Sequence, residues 1–143
     1  MIVKIINTSI NELPAYQTAG AAGLDIRANL EEPIVLAPLQ RTLVPTGLFL
    51  EIPEGYEVQV RPRSGLAAKH GITVINAPGT IDSDYRGEVK VPIVNLSDES
   101  FTIAHGERIA QMIFAKYERV TFQQVEELSD TQRGTAGFGS TGK

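Results

Sequence analysis

Apolar side chains recur at every second position in one short run after another along this chain, and that period restricts the fold more than any other feature. Met1–Asn7, Leu24–Ala28, Ile34–Leu36, Leu43–Ile52, Tyr56–Arg61, Val89–Leu96, Ser100–Ile103 and Ile109–Tyr117 all read as short strands. Turn formers separate them: Glu31-Glu32-Pro33, Ala37-Pro38, Pro53-Glu54-Gly55, Ser97-Asp98 and His105-Gly106. Many short strands at near-regular spacing predict an all-β, jelly-roll-like barrel or sandwich, and 143 residues suffice for one such domain.

One segment breaks the alternation. Ser64-Gly65-Leu66-Ala67-Ala68-Lys69-His70-Gly71 predicts a single short helix with Ser64 as N-cap and Gly71 at its C-terminal cap. Arg61, Arg63 and the Ser64 hydroxyl are expected to meet at its start, where free N–H groups favour an anion. A capped turn carrying two exposed arginines is the open alternative.

Between Ile72–Ile75 and Glu88–Val94 lies a polar stretch, Asn76-Ala77-Pro78-Gly79-Thr80-Ile81-Asp82-Ser83-Asp84-Tyr85-Arg86-Gly87. It predicts a long hairpin reversed at Pro78-Gly79. Two carboxylates, an aromatic ring, an arginine and an amide are more chemistry than a change of direction requires, so a ligand loop is the functional reading and a decorated turn the bland one.

From Ser129 onward Phe138 is the only large apolar residue, and such a tail cannot offset the entropy of its own ordering. The expectation is a β body over residues 1–128 and a mobile C-terminal arm over 129–143. A phenylalanine between glycines, with Arg133 upstream and hydroxyls beside it, suits stacking on a ring and clamping phosphates; a frayed terminus is the alternative. Gly137 to Lys143 also has the spacing of a phosphate-binding P-loop up to its lysine. No strand leads into it and no Ser or Thr follows, so that reading fails on context.

Composition narrows the chemistry. A net charge of −4 argues against binding polymeric nucleic acid, although a small phosphorylated ligand needs only a local cationic cluster. With no cysteine and two histidines, thiolate chemistry and a histidine-built metal cage are excluded, while carboxylate-held or phosphate-held Mg²⁺ stays open. The N-terminus lacks the features of a signal peptide and no apolar run approaches about eighteen residues, which predicts a cytoplasmic protein with no membrane partner.

Five stretches then take on meaning together: Ala22-Gly23-Leu24-Asp25-Ile26, Arg61-Pro62-Arg63-Ser64-Gly65, Gly79 to Gly87, Gly106-Glu107-Arg108-Ile109-Ala110-Gln111, and Arg133 to Gly142. In order and spacing they resemble the five motifs of the trimeric dUTP diphosphatase (dUTPase) family, across nearly the whole chain. The resemblance implies hydrolysis of dUTP to dUMP and pyrophosphate, a Mg²⁺ cofactor held mainly by the phosphates, and a homotrimer whose sites are shared between subunits. It points to Asp82 as the base that activates water, and to Asn76, Gly79, Thr80 and Ile81 as the uracil-recognising set. Tyr85 is implied to crowd out a ribose 2′-OH, a buried core tyrosine being the rival explanation, and Lys90 to contact ligand through its backbone. Arg63, Ser64, Gly65 and Gln111, with Arg133, Gly139, Ser140 and Thr141 from the arm, are the implied triphosphate contacts, and Phe138 the lid over uracil. Asp25 is assigned an indirect role toward the metal through water or in supporting the sugar pocket, Asp84 a structural one, and His70 and His105 surface or packing roles.

Two rivals follow from the same motifs. A dCTP deaminase of similar fold carries a proton-shuttling glutamate on the strand after the hairpin, where this chain has Pro92, which cannot titrate. A non-catalytic nucleotide sensor is expected to lack the motif's aspartate, yet Asp82 is present. Ala21 stands where many members have serine, which removes a hydrogen bond but no proposed catalytic group.

Overall fold

A computed structural model describes residues 1–137. Its strands are β1 (Lys4–Asn7), β2 (Leu24–Arg27), β3 (Ile34–Leu36), β4 (Arg41–Glu51), β5 (Tyr56–Arg61), β6 (Ile72–Val74), β7 (Gly79–Ile81), β8 (Glu88–Asn95), β9 (Phe101–Ile103) and β10 (Arg108–Lys116), with one helix, α1 (Ser64–His70). Two four-stranded sheets, ordered β1-β4-β8-β6 and β2-β10-β5-β7, share a core, and β3 pairs with β9 in a small third sheet. This is the all-β, jelly-roll-like architecture that the alternation predicts. Val44, Leu48, Val58, Val60, Val91, Ile93, Ile103 and Met112 bury their side chains inward, while alternate residues such as Gln59 and Lys90 face outward. Among the described residues no helix is long and apolar enough to cross a membrane.

Two local expectations are corrected. Ser64 is the first helical residue, not the N-cap; Arg63 takes that place in extended geometry, with no side-chain capping bond. The C-terminal expectation holds, since Gly71 adopts φ 64° and its N–H donates to the Ala67 carbonyl. The second correction concerns the polar stretch after β6. β6 and β8 do form an antiparallel pair, with Val74 opposite Ile93 and Ile72 opposite Asn95. Between them, however, the chain leaves that sheet, passes a cis Ala77–Pro78 peptide, and runs as β7 along β5 in the other sheet. What looks like one hairpin is therefore a crossover between the two layers.

Irregularities in β4 and β8 are held by polar side chains. The β4/β8 register shifts between Pro45 and Phe49, where Gly47 has φ 72°. The buried Thr46 hydroxyl donates to the Val89 carbonyl at 2.6 Å, and the Glu88 carboxylate accepts from the Gly47 N–H at 2.9 Å. Farther along β8, the buried Asn95 amide donates to the Leu36 and Glu99 carbonyls at 2.9 and 2.8 Å and accepts from the Ser97 N–H and hydroxyl. One side chain thus satisfies four partners and ties the small sheet to the large one. At the opposite edge Lys4 and Glu51 are register partners joined by a 2.8 Å ion pair, which holds the Glu51 carboxyl below its ordinary pKa.

Leu39 is the one non-glycine residue with positive φ, at 63°, among the described residues. It occupies the third position of a turn that Pro38 sets up and the Gln40 N–H closes on the Ala37 carbonyl at 3.1 Å, a place suited to glycine. Its side chain is 75% exposed, so packing does not compensate the strain. A left-handed conformation costs a non-glycine residue about 1–2 kcal/mol, partly offset by the backbone entropy a glycine loses on folding, about 0.5–1 kcal/mol. Leu39→Gly is therefore expected to stabilise the protein by roughly 0.5–1 kcal/mol and raise its Tm by a few degrees. An unchanged or lower melting temperature by scanning calorimetry would refute the strain.

Candidate active site

β7 is the outermost strand of its sheet, paired with β5 through Gly79 opposite Val60, Thr80 opposite Gln59 and Ile81 opposite Val58. Its far edge has no strand partner among the described residues. An unpaired strand edge offers alternating N–H and C=O groups in a fixed array, which is what a planar heterocycle with donors and acceptors along one edge requires. Beside it lies a cavity of about 300 Å³ lined by Leu43, Thr80, Ile81, Asp82, Tyr85, Glu88, Val89 and Lys90. Five residues singled out from sequence thus share one hollow. Gly79 is buried beneath Asn76: a Cβ there would sit 3.2 Å from the Asn76 Nδ2 and 3.6 Å from the Val60 Cβ.

The turn after β7 is built tightly. The Tyr85 N–H donates to the Asp82 carbonyl at 3.2 Å, reversing the chain over four residues. Arg86 locks it, its guanidinium donating to the Ser83 and Tyr85 carbonyls at 2.6 and 3.0 Å. Asp84 does not have the structural part expected of it: among the described residues its side chain takes no hydrogen bond or ion pair, and Arg86 closes the turn instead. The Tyr85 hydroxyl donates to the Glu88 carbonyl at 3.1 Å, and a Cβ on Gly87 would collide with the Tyr85 ring. Tyr85 is 47% exposed, which removes the core-tyrosine reading. Glu88 also pairs with Lys90 at 3.4 Å, so the β4 bulge that anchors Glu88 supports the cavity wall from behind.

A second group forms on the outer face of β2 and β10. Gln111 lies opposite Asp25 on one side and Arg61 on the other. Asp25 accepts from the Arg63 Nε at 2.9 Å and from the Arg108 Nη1 at 3.2 Å, one guanidinium on each carboxylate oxygen. Arg63 donates further to the Arg108 carbonyl at 3.2 Å, and the Gln111 amide to the Pro62 carbonyl at 3.0 Å. A side chain on Gly23 would strike the Gln111 amide. Ser64 and Gly65 are exposed on the first turn of α1. Arg61 does not join Arg63 as expected; it turns back along β5, its Nε donating to Gln59 at 3.1 Å. Arg63 and Arg108 line a different hollow, of about 610 Å³, from the one beside β7.

The histidines have packing roles: His70 lies 5.2 Å from the Phe101 ring, and the His105 Nδ1 accepts from the Leu30 N–H at 3.2 Å. Arg133 is exposed and donates to the Ala136 carbonyl at 2.8 Å. Phe138, Gly139, Ser140 and Thr141 lie outside the described residues. Among those described, no three His, Cys, Asp or Glu side chains converge as a metal site. Sequence reading missed Leu43, Glu88, Val89 and Arg108. Pro45 and Gly47 within an otherwise regular strand were the signal for the bulge behind Glu88.

Comparison with known proteins identifies the family. The dUTPase family model matches residues 10–142. A deoxyuridine 5′-triphosphate nucleotidohydrolase of Cytophaga hutchinsonii is 69% identical over 141 residues, covering 99% of this chain and 92% of that protein. One of the same name from Finegoldia magna is 61% identical over 142 residues, 99% of each. Among solved structures, a Staphylococcus bacteriophage 80alpha dUTPase with dUPNHPP superposes with a TM-score of 0.90 at 28% identity, covering 99% of each chain. On the extent of the family match and the identity to these relatives, the chain belongs to the dUTPase family.

Proposed function

We propose that this protein hydrolyses dUTP to dUMP and pyrophosphate by water attack on the α-phosphorus, keeping uracil nucleotides out of DNA and supplying dUMP for thymidylate synthesis. The observation that carries the reading is the hollow beside β7, where an unpaired strand edge, the Asp82 carboxylate and the Tyr85 ring adjoin. In it the Thr80 and Ile81 backbone and the Asn76 amide pair with the uracil edge, while close walls near Gly79 exclude a 5-methyl group. Tyr85 lies flat on the deoxyribose and leaves no room for a 2′-OH, and Lys90 contributes backbone contact at the cavity wall.

Asp82 polarises the water and takes its proton as the new oxygen–phosphorus bond forms and the bridging bond to the β-phosphate breaks. Arg63, Ser64, Gly65 and Gln111 hold the phosphates, joined from the arm by Arg133, Gly139, Ser140 and Thr141, with Phe138 stacked over the base. Mg²⁺, when bound with the triphosphate, would supply charge neutralisation there, and Asp25 would be the carboxylate that supports it indirectly.

The nucleoside group and the phosphate group line separate hollows of a single chain, which favours sites completed between protomers. Beyond β10, Val120, Phe122, Val125 and Leu128 are 50–93% exposed, as suits a segment that crosses onto a neighbour. A homotrimer fits both observations, with residues 129–143 as the closing arm, and its work on free nucleotides belongs in the cytoplasm.

A panel of dUTP, dTTP, dCTP and UTP with Mg²⁺, followed by pyrophosphate release, is expected to give turnover with dUTP alone. Ammonia from dCTP would instead favour a deaminase. Asp82→Asn is expected to lower kcat by about 10²–10⁴-fold with the fold intact, and an undiminished rate would assign the base elsewhere. Removing residues 130–143 is expected to leave a folded trimer of greatly reduced turnover; full activity by the truncated protein would refute the arm's role.

A further inference from the structure

Arg27 and Arg108 are direct register partners across β2 and β10. Like charges opposite one another on neighbouring strands destabilise a sheet, so the pairing needs a compensating anion. The protein supplies little. Asp25 is already shared between Arg63 and Arg108, and Arg27 has no ion-pair partner among the described residues, donating only to the Gly106 carbonyl at 2.7 Å. All three arginines line the hollow of about 610 Å³, where Glu107 is the sole carboxylate beside His70 and His105. Each guanidinium keeps N–H donors that its recorded bonds do not use.

We propose that Arg27 and Arg108, facing each other beside Arg63, form a receiving site for the pyrophosphate released from the nucleotide. This rests on the hydrolysis reading above and extends its phosphate contacts to a later stage of the cycle. Before cleavage the outer phosphates are tethered to the nucleoside. When the bridging bond breaks, its electron pair stays on the departing oxygen, so pyrophosphate leaves with one more anionic oxygen than the bound chain offered. A cluster of three guanidiniums with two nearby carboxylates, Asp25 and Glu107, keeps an excess of positive charge and attracts that species more strongly than it attracts the tethered substrate. The hollow is open to solvent, so the product is passed outward and not trapped.

The test is titration of the full chain with inorganic pyrophosphate, alongside steady-state hydrolysis of dUTP. Arg27→Gln is expected to weaken pyrophosphate binding by about tenfold, the worth of one charged hydrogen-bonded contact, while KM for dUTP changes by less than about threefold. Arg27→Lys, which keeps the charge, is expected to retain most of the pyrophosphate affinity and of its salt dependence. Unaltered pyrophosphate affinity in Arg27→Gln, or equal losses in pyrophosphate affinity and KM, would overturn the assignment. Failure of the unmodified chain to hydrolyse dUTP would instead overturn the reading beneath it.

Discussion

A strand at the rim of a sheet has half its backbone hydrogen bonds made and half unmade, and β7 puts that constraint to use. Its inner edge is satisfied by β5, which fixes Gly79, Thr80 and Ile81 in register to the core residues Val58 and Val60. The outer edge inherits that rigidity without being consumed by it. Because the groups are backbone groups, their spacing does not depend on a rotamer, and the cavity next to them is shaped before any ligand arrives. The crossover from the sheet of β6 and β8 to that of β5 is what gives β7 this rim position.

Support for the cavity runs through a chain of short-range contacts. The Thr46 hydroxyl seals the β4 bulge against Val89, the Gly47 N–H holds the Glu88 carboxylate, and the Glu88 carbonyl receives the Tyr85 hydroxyl. Each member is a hydrogen bond worth about 1 kcal/mol, but together they connect the aromatic wall to the middle of the β1-β4-β8-β6 sheet. The cluster around Asp25 is organised differently. There a single carboxylate, Asp25, splits its two oxygens between Arg63 and Arg108, and a partly buried charge shared in this way orients the guanidiniums while leaving the region cationic.

Most of the layout was legible before any coordinates. Period-two alternation located eight of the ten strands because burial on one face of a sheet leaves that mark in any sequence, β6 showed as a β-branched run, β7 was hidden in the polar stretch, and Gly71 marked the end of α1, where it takes a left-handed φ. The crossover was not legible, since alternation tells which side chains point inward and not which layer receives them. Ser64 looked like a cap because serine is a good one, but the extended residue that precedes the first helical turn is Arg63, so the cap position falls one residue earlier. Asp84 looked structural by its place between Ser83 and Tyr85, yet the longer reach of Arg86 to two carbonyls took that task. Arg108 stands within the fourth motif but was given no role there; its meaning comes from Asp25 and Arg27 on another strand.

Gly79 carries a consequence for how this surface can change over time. The core side of the residue leaves ordinary contact room toward Val60, whereas the tight approach is to the exposed, movable Asn76 amide. A methyl group introduced there is accommodated by swinging that amide aside, at small cost to folding. Screens for heat resistance would let such a variant through, while, on the proposed reading of the neighbouring hollow, discrimination among pyrimidines would already have eroded.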